Sequence, residues 1–400
     1  MKIIVCQYGS RHRYLIPQIF FKRGMLAALY TDATKNSLLG KLSFILNKIG
    51  VSSPTVSRLL NRDPKIPNNY LVSSDIWAIK ILFNAVTNQS DEIIHDTFSQ
   101  GGSKTFIKSG LKDCDWVYTM FFENIEFLLY AKSHGKKIIA DIFENPYVFE
   151  DLVSEIDRNP EYKCVSNLKA HFQEQVKFRK KYVDTILAVA DKYLVPSQFV
   201  AQQLKRSPNF NAEKVNIVPY GSSINRMPYC NTPQIGRMIW VGNDMVRKGL
   251  IYAIKAVMEL RKMFPFCSLR VIGDIPPEFI RANQYDGIEY IGHLNKEDLS
   301  TEFKLADAYI FPTLSEGLAG TVIEAASFGV PIITTSASGL DNDFPGISIP
   351  LRDTISIVNA CSLIITDRNY RTKISHDIYQ YSQNFDENSF ERNLIKIFEE

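Results

Sequence analysis

Glu316 and Glu324 stand eight positions apart in SEGLAGTVIEAASFGVPIITT, residues 315–335. Around them the chain is mostly glycine, alanine and branched apolar residues. Two carboxylates in such a segment can accept hydrogen bonds from a ligand rich in hydroxyls. Well upstream, MVRKGL supplies the opposite chemistry. Arg247 offers a planar fork and Lys248 a point charge, both suited to phosphate oxygens. Cations before a helix oppose its dipole, so their placement favours an anionic ligand over mere solvation. On spacing alone, Glu316 reads as a loop residue and Glu324 as a solvated helix position.

The elements around these residues give them a shared purpose. Ala308 to Phe311 is strand-like, and Pro312 ends it. Thr313 to Leu318 is turn material. A helix is predicted from Ala319 to Phe328, with Gly329 as its cap and Pro331 opening the next strand. Open parallel sheets bind ligands at the carboxyl ends of their strands. The free amides and dipole of a helix start attract phosphate. A carboxylate is repelled by bound phosphate, so each glutamate must reach past it. Glu316 on one side and Glu324 on the other fit sugar hydroxyls flanking a pyrophosphate, as in a nucleotide-sugar.

Four hundred residues imply two domains. Charged residues make up 22% and apolar residues 45%, an ordinary globular balance. A net charge of +3 gives no argument for nucleic acid. The six cysteines are scattered without a CxxC pair, which points to a reducing compartment and to neither disulfides nor zinc. The histidines are dispersed as well. Two D-x-D matches, Asp113–Asp115 and Asp341–Asp343, precede a strand and occupy a turn-rich loop; no metal site is read from them. The apolar run near the N-terminus, Ile3–Cys6, is too short for a signal peptide, and no stretch is long enough for a membrane span. A cytoplasmic protein is expected, with peripheral attachment at the inner membrane face left open.

Strand-like runs recur at Lys2–Cys6, Trp116–Met120, Lys137–Ile142 and Thr185–Ala190, separated by helical patterns. Residues 12–29 also carry helical spacing. After a turn-rich stretch come Arg237–Val241, Ser268–Ile272, Ile288–Ile291, Ala308–Phe311 and Pro331–Thr334. This is α/β organisation with parallel βαβ units. The expected division is an acceptor-binding domain at 1–222, a linker at 223–233, a donor domain at 234–384 and a C-terminal helix at 385–400 that packs back on the first domain. Residues 34–70 are basic and interleaved with leucine and isoleucine. They read as an amphipathic helix packed on its own domain, with membrane contact as the alternative.

GLAGTVIEAASFGVPIIT resembles the donor segment of family 4 retaining glycosyltransferases, which have the GT-B fold of two Rossmann-like domains facing a cleft. MIWVGNDMVRKGLIYAIKAV is similar to their first donor-domain strand, glycine turn at Gly242 and helix start. LRVIGD and IEYIGHLNKEDLSTEFKLADAYIFPTLSEG resemble the following pieces in order. ADKYLVPSQFVAQQLKR and KVNIVPYGS resemble the end of the first domain and the linker. Before about Lys180 the likeness is weak. The resemblance implies that Glu316 contacts donor-sugar hydroxyls and that the Gly317 and Leu318 amides hold the distal phosphate. It further implies that Thr321 lies near the phosphates, that Glu324 accepts from ribose, and that His293 and Leu294 border the base. Ala319 and Gly320 depart from the pattern, where many members have glycine and a larger apolar residue.

On the acceptor side, QYGSRHRY places Arg11, His12 and Arg13 at the end of the first strand, a second anion-suited position. Relatives usually carry a histidine near the end of a later strand. Here Phe143 takes that place, with Asp141 and Glu144 as the nearby polar groups. The resemblance implies transfer with retention, a nucleotide-sugar donor, a carbohydrate or lipid-linked acceptor, and no cofactor or metal. Arg247, Lys248 and Glu316 would carry the chemistry. A non-hydrolysing sugar-nucleotide epimerase and a catalytically silent nucleotide-sugar-binding protein are the alternatives.

Overall fold

The computed structural model describes residues 1–50, 54–75, 91–120, 124–221 and 228–399. Residues 223–227 of the expected linker and 51–53 of the basic stretch lie outside the described residues. The chain forms two compact units. The first comprises Met1–Phe143, Glu174–Leu194 and Lys205–Asn216. The second comprises Glu144–Gln173, Val195–Leu204 and Ile217–Glu400.

The first unit is built on a seven-stranded sheet. Its strands are β1 (Ile3–Cys6), β2 (Leu26–Thr31), β3 (Leu71–Ser73), β4 (Trp116–Met120), β5 (Lys137–Asp141), β6 (Lys192–Val195) and β7 (Val215–Ile217). Their order is β3-β2-β1-β4-β5-β6-β7. The β1–β2, β1–β4, β4–β5 and β5–β6 pairs are parallel. IIVC and WVYTM are buried at every position, the pattern a parallel sheet covered on both faces requires.

The second unit holds β8 (Arg237–Val241), β9 (Ser268–Ile272), β10 (Ile288–Gly292), β11 (Ala308–Phe311), β12 (Ile332–Thr335) and β13 (Ile347–Ile349). Their order is β10-β9-β8-β11-β12-β13, and the pairs are parallel. Successive strands run outward in opposite directions from β8 and β11. The gap between those two strands is therefore a topological switch point, where such sheets bind ligands. One buried cluster joins Met238, Trp240, Leu250 and Ile254 to Leu152, Ile156 and Tyr162. A second joins Tyr309 and Phe311 to Val322, Ala325 and Phe328.

Several details differ from the sequence reading. The helix Val148–Arg158 clusters with the second unit, not the first. Its fully buried Glu155 accepts from Arg352 Nε at 2.7 Å, from Asn159 Nδ2 at 2.6 Å and from the Tyr252 hydroxyl. Thr185–Ala190 is not a strand. It ends the helix Leu168–Val189, and Val183, Ile186, Leu187 and Ala190 are buried at a helical period. The apolar-basic pattern over 12–29 splits into α1 (Leu15–Lys22) and β2, because LAALYT pairs with β1 as a buried strand. In the basic stretch, α2 (Leu38–Lys48) buries only Gly40 and Ser43, so its large apolar residues do not face the unit's core. The C-terminal helix Glu387–Glu399 buries Phe390, Leu394 and Ile397, and the Phe390 ring lies 5.8 Å from that of Tyr220.

Candidate functional site

The loops after β8 and β11 meet at the switch point of the second sheet. Arg247 ties them together. Its Nη1 is 2.5 Å from Glu316 Oε1 and donates to Ser315 O at 3.0 Å. Its Nε donates to Asp244 Oδ2 at 3.0 Å, and its backbone N–H to Asp244 Oδ1 at 3.0 Å. Its carbonyl accepts from Leu314 N at 2.8 Å and from Thr313 Oγ1 at 3.0 Å. Burial opposes the guanidinium's charge, but Glu316 and Asp244 outweigh it and push the pKa further up. Glu316 Oε1 is buried and receives no well-directed hydrogen bond. It is held in an ionic contact with Arg247.

Lys248 is arranged differently. It forms no ion pair among the described residues. Its ammonium lies 3.5 Å from Val241 O and 5.3 Å from the centre of the Phe311 ring. Burial pulls its pKa down, with the Glu316 charge opposing that shift. A Cβ on Gly242 would lie 2.2 Å from Lys248 Cδ, so only glycine leaves this side chain its place.

The helix Gly320–Ser327 lies one residue inside each end of the predicted Ala319–Phe328, which form its caps. Glu316 N donates to Ala337 O at 2.8 Å and Ala319 N to Ser338 O at 3.1 Å. The Gly317 and Leu318 amides between them have no acceptor among the described residues. Thr321 Oγ1 is 3.2 Å from the Tyr309 hydroxyl, which donates to Val241 O at 3.2 Å. Burial raises the Tyr309 pKa, and the charges of Glu316 and Glu324 both add to the effect, so this phenol senses both carboxylates. Burial likewise raises the Glu324 pKa, opposed by nearby Lys296. His293 is largely exposed and 3.8 Å from Asp274, whereas Leu294 packs against the second core cluster. A cavity of about 210 Å3 opens beside this loop, lined by Gln198, Gln202, Thr335, Ser336, Ser338 and Asp341 among others.

The residues expected on the acceptor side separate. Arg11 stacks its guanidinium 3.7 Å from the centre of the Phe143 ring. His12 and Arg13 are exposed and carry left-handed backbone with φ of 46° and 50°. Such conformations cost energy in non-glycine residues and cluster at functional loops. β1 and β4 flank the switch point of the first sheet, so these three residues follow a strand that borders it. Asp141 is fully buried at the end of β5 and accepts from the Tyr118 hydroxyl. Glu144 begins the second unit.

Sequence reasoning missed several contributors. Asp244 sits three residues before Arg247 and receives both its backbone and side-chain N–H groups; the D-x-x-R spacing was the available signal. Ser197 donates to Gly317 O at 2.6 Å, and Thr335 donates to Thr313 O at 2.6 Å. No local pattern marks either, because both act across long sequence separations.

Residues 236–367 match the family described as "Glycosyl transferases group 1". This part of the second unit is similar to group 1 glycosyltransferases. The match spans β8 to the helix Thr354–Thr366, and with it every donor-side residue named above. A glycogen synthase of Mycobacterium tuberculosis is 25% identical over 167 residues, 38% of this chain and 40% of that protein. An O-antigen chain mannosyltransferase B of Escherichia coli is 25% identical over 189 residues, 42% of this chain and 50% of that one. The chain thus spans half or less of the length of these curated relatives. Anabaena Alr3699/HepE, solved in complex with UDP and glucose, superimposes with a TM-score of 0.60 at 12% identity, covering 100% of this chain and 99% of that one. That likeness shows the fold of the whole chain, which is GT-B. Among the described residues, no helix is long and apolar enough to cross a membrane.

Proposed function

We propose that the protein is a retaining hexosyltransferase. It moves a sugar from a nucleoside-diphosphate sugar to a hydroxyl of a carbohydrate or lipid-linked acceptor, in polysaccharide or glycolipid assembly. The observation that carries this reading is that Lys248 and the Gly317 and Leu318 amides border one switch point, the lysine with no ion pair and the amides with no acceptor among the described residues. Breaking the bond between the sugar's anomeric carbon and the diphosphate expels several negative charges. Lys248 and the two amides meet that charge as it develops, and their fixed placement lowers the barrier because nothing must reorganise. Lys248 and these amides take the place a divalent metal would otherwise fill.

Glu316 accepts from donor-sugar hydroxyls, and Arg247 holds it there. Glu324 accepts from the ribose. The acceptor oxygen bonds to the anomeric carbon on the face the diphosphate leaves. The acceptor proton passes to the departing phosphate oxygen. Positioning rather than a strong protein base then carries the reaction. Arg11, His12 and Arg13 are assigned to the acceptor. The relatives support the chemistry by name: one is a mannosyltransferase of an O-antigen chain, and the superimposed HepE holds UDP and glucose.

Incubation of the full chain with labelled UDP- and GDP-sugars tests this. Slow release of free sugar with its anomeric configuration kept is the expected result. Formation of an epimer, or binding without any turnover, would overturn it.

A further inference from the structure

Helix α2 is amphipathic with its faces reversed. Its eleven residues read LLGKLSFILNK, and the two that are buried are the small ones, Gly40 and Ser43. A Cβ at Gly40 would lie 2.1 Å from Thr34 O, so the helix seats against its own unit through a position with no side chain. Asp75 fixes the start of the helix, accepting from Leu38 N at 3.2 Å, Leu39 N at 3.3 Å and Ser37 Oγ at 2.6 Å. The orientation is therefore set by packing and capping together.

The outward side is apolar. Leu38, Leu42, Ile45 and Ile49 recur at helical spacing and are 61%, 48%, 55% and 69% exposed. Phe44 and Leu46 flank them and are exposed as well. A contiguous strip of large apolar side chains in water marks a binding surface. Its charge is one-sided. The helix contains Lys41 and Lys48 and no carboxylate. Lys41, Lys48 and Arg58 form no ion pair among the described residues. Of the acids around it, Asp75 is taken up by the helix start, Asp63 is paired with Lys35 at 2.5 Å, and Asp32 is paired with Arg62.

We propose that α2 lies in the headgroup region of an anionic lipid bilayer. Leu38, Leu42, Ile45 and Ile49 enter the acyl boundary, and Lys41 and Lys48 meet lipid phosphates. A surface helix with bulky apolar residues on one side and lysines beside them binds in this way. A second copy of the chain fits poorly, because α2 against α2 would set lysine against lysine with no carboxylate within either helix. A protein partner would need a row of acids alongside an apolar strip. An anionic bilayer presents both everywhere.

Vesicle co-sedimentation of the full chain tests the proposal without donor or acceptor, so it stands or falls separately from the transferase reading. The probes are vesicles of phosphatidylcholine alone and of phosphatidylcholine mixed with phosphatidylglycerol. Binding to the mixed vesicles is expected to exceed that to the neutral ones by about tenfold or more and to weaken as salt is added. Leu42→Asp with Ile45→Asp should abolish it while leaving the circular dichroism unchanged, because both side chains are already exposed. Ile355→Asp, at a position 73% exposed on the second unit, should bind like the parent. No binding to either vesicle, equal binding to both, or full binding by the double variant would overturn the proposal. So would self-association in solution that the double variant removes.

Discussion

Arg247 Nη1 lies 2.5 Å from Glu316 Oε1, while Asp244 Oδ2 accepts from the same guanidinium's Nε at 3.0 Å. The fork of Arg247 is thus occupied on two sides by carboxylates and on a third by Ser315 O. Its charge is largely committed to joining the β8 and β11 loops. Lys248, one residue on, has no such commitment. The two adjacent cations divide the work: one builds the site and the other serves the ligand.

Lys248→Ala should therefore separate function from folding. Turnover is expected to fall by roughly 100- to 1000-fold, the loss typical of a removed transition-state charge partner. The melting temperature should stay within about 2 °C of the parent, since the lysine forms no ion pair. Arg247→Ala should lower both. It strands the half-buried Glu316, at a cost on the order of 3 kcal/mol. Arg247→Lys should not restore it, because a point charge cannot reproduce the fork. Steady-state kinetics and thermal unfolding on the three variants check this.

Gly242→Ala probes the same lysine without altering any charge. The added methyl would fall 2.2 Å from Lys248 Cδ, and the flexible side chain must move away. A fall in kcat of about tenfold or more is expected, with the fold retained. Wild-type kcat in this variant would mean that the ammonium's position does not matter.

Nucleotide affinity should depend on pH through Glu324. Burial raises this carboxyl's pKa, with Lys296 opposing the shift. Only the ionised form accepts from both ribose hydroxyls. Affinity should therefore weaken as pH falls through the raised pKa, beginning above the ordinary glutamate range. The unliganded protein should show the opposite trend for this group. The folded state holds the proton more tightly than the unfolded state, so stability contributed by Glu324 is lost as pH rises through that window. Glu324→Gln should flatten both dependences, measured by titration calorimetry and by urea unfolding across pH.

Glu155→Ala should cost about 3 kcal/mol of stability, because Arg352 and the Tyr252 hydroxyl both lose a fully buried partner. Urea unfolding measures it. Nucleotide affinity in the folded variant should not change.

The second sheet and its site loop were legible because their signals are local. Short β-branched runs bounded by glycine and proline marked β8, β9, β11 and β12. Gly329 and Pro331 bracketed the turn out of the helix Gly320–Ser327. The boundary of the units was not legible, since Val148–Arg158 joins the second unit through distant contacts: Leu152 and Ile156 enter its buried cluster, and Glu155 meets Arg352, 197 positions away. Thr185–Ala190 was misread because a four- to six-residue apolar run fits a strand or a helix end equally well. The α2 pattern announced an amphipathic helix and could not say which face turns inward. Gly40 and Ser43 decided that, because a close approach needs small residues. Asp141 was legible as a polar group at a strand end, but its burial and the Tyr118 hydroxyl that it accepts from were not, because they depend on a neighbouring strand.

The most direct measurement is calorimetric titration of UDP and of GDP into the full chain, in buffer containing a chelating agent, with the parent and with Lys248→Ala. One of the two nucleotides should bind the parent without added metal, and the substitution should weaken that binding by about tenfold or more. Binding that requires magnesium or manganese, or that is equally tight in Lys248→Ala, would contradict a diphosphate held by fixed amides and this lysine.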